Sequence, residues 1–265
     1  MKVEYNQDKP VKKHRKRRSK GKRILIAFIS IVVVLAVTVT LMLTVFFNVN
    51  NVKVLGSSIY TENEIVFASG IVNGDNIIRM SAGDIEQRLE EALPYIKNAT
   101  VKKSLPDTIG IEVTPAEEKY IVETADITYV CDADYKALRT VTDRPEGILR
   151  IKGITTNGIS LGKTIEFSNN QQRDVLTNLL TICSDKGFDV TYVNIENMVD
   201  IGFSIANRLY IKLGSYTDLA AKITHLETML YQIDKDVTAS ISLVSWSLSH
   251  KEAVLKYEDI TDLIK

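Results

Sequence analysis

The stretch Ala99-Thr-Val-Lys-Lys-Ser-Leu-Pro-Asp-Thr-Ile-Gly-Ile-Glu-Val113 reads as two β-strands, 99–103 and 108–113, joined by the turn Ser104-Leu-Pro-Asp107. Ile109, Ile111 and Val113 alternate with Thr108, Gly110 and Glu112, the pattern of a sheet with one buried and one solvated face. Upstream, Ser81-Ala-Gly-Asp84 opens a helix whose Ile85, Leu89 and Leu93 recur at four-residue spacing, and Pro94 ends it. Further back, Thr61 with Glu64 three residues on is a capping box, in which hydroxyl and carboxylate satisfy the exposed N–H groups of a first helical turn. That predicts a short helix over 62–69, stopped by Gly70 and followed by the turn Asn73-Gly-Asp75. Val49, Val52 and Val54 form a β-prone run closed by Gly56. The order is strand, helix, helix, strand, strand.

Before this unit lies a run of 24 residues without charge, 24–47, preceded by Lys12-Lys-His-Arg-Lys-Arg-Arg-Ser-Lys-Gly-Lys-Arg23. A helix rises about 1.5 Å per residue, so 24 residues reach roughly 36 Å, against a hydrocarbon core of about 30 Å. A cleaved signal peptide would have an apolar stretch of about 7–15 residues ending in small residues. Here the run is longer and exits through Leu43-Thr-Val-Phe-Phe47. It is apolar all round, unlike a surface-packed core helix. The segment reads as a membrane span.

The neutral total charge conceals an asymmetry. Residues 1–23 hold 11 of the 33 Lys and Arg but only Glu4 and Asp8 of the 33 Asp and Glu, so residues 24–265 carry 22 basic against 31 acidic side chains, a net of −9. Basic residues beside a span remain cytoplasmic, which places the large acidic part across the membrane. Arg15, Lys16, Arg17, Arg18, Lys22 and Arg23 are the candidate contacts with anionic lipid headgroups. The tail has Tyr5 as its one aromatic, outside the cluster, and no binding fold, so nucleic acid is not expected as a partner.

Beyond residue 117 the chain is richer in strand signals. The runs 127–130, 137–138 and 148–151 are short and apolar, separated by Asp, Gly and Pro. A helix is predicted over 170–186, with Val175, Leu176, Leu179, Leu180 and Cys183 on one face and Gly187 at its end. Strands follow over 190–195, 199–205 and 209–213, then a helix carrying Leu219, Ile223, Leu226 and Leu230, then strands over 239–246 and 252–257. Cys131 and Cys183 show no Cys-x-x-Cys or metal spacing and are expected as buried free thiols, a single disulfide being the alternative. The organisation read from the chain is a basic tail 1–23, a span 24–47, a first domain 48–116, a second 117–257 and a short C-terminal tail 258–265.

The sequence resembles the FtsQ/DivIB cell-division family. The residues that carry the likeness are the basic tail and span, Val49-x-x-Val-x-Val-x-Gly56, Glu64-Ile65, Pro94-Tyr-Ile-x-x-Ala-x-Val101 and Leu105-Pro-Asp-Thr-Ile-x-Ile-x-Val113. In the second unit they are Asn207-Arg-Leu-Tyr-Ile-Lys-Leu-Gly214 with the following helix. Where the family commonly has Asp-Gly, this chain reads Asp132-Ala-Asp-Tyr135. The resemblance implies an α+β architecture: one transmembrane helix, a small βααββ POTRA domain at the outer face of the membrane, and a mixed β-rich domain with helices. It also implies a non-enzymatic scaffold at the division septum, with FtsB/DivIC-like and FtsL-like partners and septal wall synthases as further candidates.

Gly158-Ile-Ser-Leu-Gly162 matches the nucleophile elbow Gly-x-Ser-x-Gly, which would make Ser160 the nucleophile of a membrane-tethered hydrolase. That chemistry needs a strand before the serine, a helix after it, and an acid and a histidine later. Thr155-Thr-Asn157 precedes it and Lys163-Thr-Ile-Glu-Phe167 alternates like a strand, so coincidence is the better reading; an anchored signalling protein with a nucleic-acid-binding tail is the other alternative. Glu90-Glu91 and Glu117-Glu118 read as solvated surface, the sequon Asn98-Ala-Thr100 falls in a strand, and Trp246 reads as core. No cofactor is expected. With no catalytic residue, binding carries the function, and the candidate is the last strand, Glu252, Ala253, Val254, Leu255, Lys256 and Tyr257. A terminal strand tends to lie at a sheet edge, where a partner can add a strand of its own.

Overall fold

The computed structural model describes residues 20–42, 46–124, 127–143 and 145–264. Helix α1, Lys20–Leu41, starts before the apolar run, so Lys22 and Arg23 lie in its first turns, and it stops short of residue 47. Arg15, Lys16, Arg17 and Arg18 lie outside the described residues. Among the described residues the helix buries nothing against the rest of the protein, and its mean hydropathy is 3.0 over an 18-residue window. Its hydroxyls turn inward: Ser30, Thr38 and Thr40 donate to the carbonyls of Ile26, Val34 and Ala36, each at 2.8 Å. In hydrocarbon no water would satisfy them, so this back-bonding is what a lipid-exposed helix requires. By length and composition α1 is able to cross a membrane.

The next elements are β1 (Asn51–Gly56), α2 (Glu62–Ser69), α3 (Ala82–Ala92), β2 (Ile96–Ser104) and β3 (Thr108–Pro115). They form a three-stranded sheet in the order β1-β3-β2, with β1 parallel and β2 antiparallel to the central strand. The capping box forms as read: the Glu64 N–H donates to Thr61 Oγ1 at 3.3 Å, and the Thr61 N–H donates to the Glu64 carboxylate at 2.8 Å. Gly70 closes α2 in the left-handed conformation. Ile65, Ile85 and Leu89 from the helices pack on Ile109, Ile111 and Val113 from β3, the apolar half of the alternation. Gly56 ends β1 at φ 103°, where a Cβ would stand 2.1 Å from the Val113 carbonyl oxygen, so no larger residue fits between the strands.

A nine-stranded sheet follows. Its strands are β4 (Tyr120–Glu123), β5 (Thr128–Cys131), β6 (Ala137–Val141), β7 (Leu149–Lys152), β8 (Val190–Asn194), β9 (Ile201–Ile205), β10 (Leu209–Gly214), β11 (Ala239–Ser242) and β12 (Val254–Tyr257). The spatial order is β12-β11-β10-β9-β8-β7-β4-β5-β6. Helices α4 (Asn170–Asp185) and α5 (Leu219–Leu230) cover one face through Leu176, Leu179, Ile223 and Leu226. On a second cluster, Tyr192 and Tyr210 receive Ile260 from the chain end, so residues 258–264 pack against the sheet.

Several expectations change. A further strand, β4, precedes those expected from the sequence in this sheet; it pairs in parallel with β7 and bonds to β5, joining the early and late strands into one sheet. The run 239–246 is a strand only through Ser242, because the chain then turns: the Trp246 N–H donates to the Leu243 carbonyl at 3.1 Å. Lys163–Phe167 is not a strand; Thr164 and Phe167 make single bridges to Lys136 and Thr156. Cys131 and Cys183 are free and buried, and burial pushes both thiols up to about 12, which leaves them inert. Tyr135 takes φ 62°, a conformation that favours glycine. Its buried ring stacks on Tyr120 at 5.0 Å and meets Phe167 edge-on at 5.3 Å, contacts that offset an unfavourable backbone conformation.

The two sheets are joined by polar contacts. The Lys136 ammonium, on a residue 7% exposed, donates to the Ile96 carbonyl at 2.6 Å. Arg139 grips Glu118 through two nitrogens at 2.7 and 3.0 Å, and Tyr95 donates to the same carboxylate at 2.5 Å. The Arg139 guanidinium holds the Glu118 carboxyl below its usual range. Gly162, at φ 80°, lies against α3 so closely that a Cβ would meet the Glu91 carbonyl oxygen at 2.1 Å.

Candidate partner-binding edge

Each sheet end presents backbone groups that require a partner, water or cover. In the small sheet, β2 is an end strand, and α3 reaches over to guard it. Glu90 accepts from the Ala99 N–H at 2.9 Å, and Glu86 accepts from the Val101 N–H at 2.7 Å. Replacing both by alanine frees these donors and is expected to tighten self-association about tenfold through edge pairing, measured by sedimentation of the purified chain in detergent. Unchanged sedimentation would show that the glutamates do not protect the edge.

In the large sheet, β6 is partly covered: the Ala137 N–H donates to the Lys163 carbonyl and the Gly162 N–H to the Ala137 carbonyl, at 3.0 and 2.8 Å. The opposite end is β12, which pairs only with β11 in the sheet order. It is shorter than read from sequence: Glu252 and Ala253 precede it, and Ala253 packs on the main core. Val254, Lys256 and Tyr257 are exposed, while Leu255 is half-buried against the core.

The register decides which backbone groups point outward. The Ala239 and Leu243 N–H groups donate to Arg208 and Lys212 on the β10 side. Alternation then turns the backbone of Ser240 and Ser242 toward β12, where their register partners are Lys256 and Val254. The outward N–H and C=O groups of β12 therefore belong to Leu255 and Tyr257. Sequence reading placed the strand but could not assign these directions, since they depend on the parallel pairing of β10 and β11.

Charge and shape surround this edge. Lys256 pairs with Glu258, which also accepts from Ser240 Oγ at 2.5 Å; the Lys256 bond is the larger cause of the lowered Glu258 carboxyl. His250 Nε2 lies 2.6 Å from the Glu252 carboxylate. The connection from β11 to β12 forms, with α5, a groove of about 470 Å³ lined by Ala221, Thr224, His225, Trp246, Leu248 and Lys251. Trp246 is buried, as read, yet it also lines this groove, and among the described residues its buried Nε1 has no hydrogen-bond partner.

Ser160 is exposed in a loop running into the turn at 161–162, so the strand-to-helix elbow is missing. Among the described residues no group of His, Cys, Asp and Glu is arranged to hold a metal ion.

An apolar helix, a small βααββ domain with β1 parallel to the central strand β3, and a β-rich domain define a POTRA-bearing protein. Residues 47–114 match the family model described as POTRA domain, FtsQ-type. Beyond that stretch the chain is similar to FtsQ and DivIB cell-division proteins. It is 26% identical to cell division protein DivIB of Clostridium tetani over 71% of both chains. It is 24% identical to DivIB of Clostridium acetobutylicum over 78% of this chain and 85% of that protein. Against cell division protein FtsQ of Corynebacterium glutamicum the identity is 31%, over 50% of this chain and 60% of that one.

Proposed function

We propose that this protein is a non-enzymatic, single-pass membrane scaffold of the division machinery, which captures an extended segment of a partner on the β12 edge. The observation that carries the reading is the outward-facing backbone of Leu255 and Tyr257 at the end of a nine-stranded sheet. An added strand would bond to these groups and set its side chains on alternating faces. The adjoining groove, lined by Ala221, Thr224, Trp246 and Leu248, offers apolar surface to a side chain of the same partner. Partners of the FtsB/DivIC and FtsL kind, and septal wall synthases, are the proteins such a scaffold would link. The charge step at Arg23 supports a cytoplasmic tail and extracytoplasmic folded domains. A fluorescent fusion imaged through the cell cycle is expected to concentrate at the division septum. Uniform membrane signal at every stage would refute the septal assignment.

A further inference from the structure

We infer that the end of the POTRA domain where the membrane span enters is itself a lipid-binding surface, with Val72, Ile78 and Leu105 lying in the outer headgroup layer. The inference rests on reading α1 as a membrane span and adds a second, independent contact with the bilayer. It starts from depth. The uncharged run beginning after Arg23 is 24 residues long. Phe46 is still in a helical turn. Residues 24–41 of α1 rise about 1.5 Å each, roughly 27 Å in all and close to a hydrocarbon core of about 30 Å, so the uncharged run that continues through Phe47 reaches the headgroup layer of a bilayer about 40–45 Å thick. Phe47 is therefore at headgroup depth, and whatever bonds to it is held there.

Two loops do so. In the first, between α2 and α3, the Ile77 N–H donates to the Phe47 carbonyl and the Gly74 N–H to the Val49 carbonyl, while the Asp75 carbonyl accepts from the Val49 N–H, all at 2.8–2.9 Å. The second is the β2–β3 turn, whose Asp107 carbonyl accepts from the Asn50 and Asn51 N–H groups at 2.9 and 3.2 Å. Both loops carry apolar side chains exposed to solvent. Val72 is 63%, Ile78 43% and Leu105 61% exposed. Phe67, one turn back from the start of the first loop, is 89% exposed, and Phe46 is exposed as well. Single exposed apolar residues are ordinary, but several on two loops tied to the exit of a span are not. Exposed Arg79 adjoins them, and the Lys103 ammonium donates to the Met80 carbonyl of the same loop. Apolar tips flanked by basic groups are the composition of an interfacial contact. Such a contact would restrict how the POTRA domain tilts on its anchor.

Fluorophore labelling of single introduced cysteines tests this in the full chain, since Cys131 and Cys183 are buried and unreactive. Leu105→Cys, Ile78→Cys, Val34→Cys in the span and Tyr231→Cys on the large domain are each labelled and reconstituted into vesicles of phosphatidylcholine brominated along the acyl chains. Quenching at positions 105 and 78 is expected to be at least about twice that at 231. If Val34→Cys is quenched while 105 and 78 stay at the level of 231, the surface is refuted and the span stands. If Val34→Cys is not quenched, the span reading fails and this inference with it. Adding Val72→Asp and Ile78→Asp to the Leu105→Cys chain replaces only exposed side chains and is expected to bring quenching at 105 to the level of 231. Unchanged quenching would overturn the role of the first loop.

Discussion

If the β12 edge captures a partner strand as proposed, Leu255→Pro is expected to weaken that capture by at least tenfold, corresponding to about 1.4 kcal/mol or more. Proline removes the N–H that the β12 edge turns outward, and its ring occupies the space where an incoming carbonyl would approach. One lost backbone bond contributes about 0.5–1.5 kcal/mol, and the ring also blocks its neighbour's approach. The substitution is tolerable because proline at a solvent-facing edge position breaks no internal ladder bond. Val254→Pro behaves differently. Its N–H faces Ser242 of β11, so it detaches β12 from the sheet and lowers stability as well as binding. Leu255→Ala separates the side-chain contribution from the backbone one. Affinity is read by titrating the full chain in detergent with a labelled partner, and stability by urea unfolding. Full affinity in Leu255→Pro would rule out strand addition at this edge.

Glu123→Ala is expected to lower the stability of the large domain by about 3–5 kcal/mol, because it leaves a buried guanidinium without its counter-charge. Glu123, in β4, accepts from Arg150 Nε of β7 at 2.9 Å, and their side chains are 7% and 16% exposed. The Arg150 guanidinium also stands 5.0 Å from the centre of the Tyr192 ring. The pair thus fastens the parallel junction of β4, β7 and β8, where Ile121 and Tyr192 both register with Arg150. Changing Arg150→Met together with Glu123→Ala removes both charges and is expected to recover much of the loss. The shift is measured as a fall in the urea midpoint with an unchanged slope. A loss below about 1 kcal/mol would show that the pair contributes no more than a surface ion pair.

What was legible in the sequence was local. The Thr61–Glu64 box, Ser81, Gly70 and Gly187 announce helix ends because a cap acts within four residues of the groups it satisfies. The alternation in Ile109, Ile111 and Val113 announces a strand because side chains switch faces at every residue. Tyr120–Glu123 escaped notice because it is buried on nearly every residue, so it shows no alternation, and it is only four residues long. Residues 243–246 looked like continuing strand because a turn with apolar residues resembles a buried strand in composition.

By itself the sequence determined an apolar helix long enough to cross a membrane, the helices and strand order of the first unit, and the last strand as a candidate edge. Uncharged length, capping and periodicity are properties of consecutive residues, so they can be read without knowing what lies across from them. Only the tertiary structure decided that strands from both ends of the second region join one sheet, that Glu86 and Glu90 close one edge, and that Leu255 and Tyr257 open another. The reason is that hydrogen bonds between strands join residues far apart in the chain. The direction of a backbone donor is set by register with its neighbour rather than by the residue that carries it.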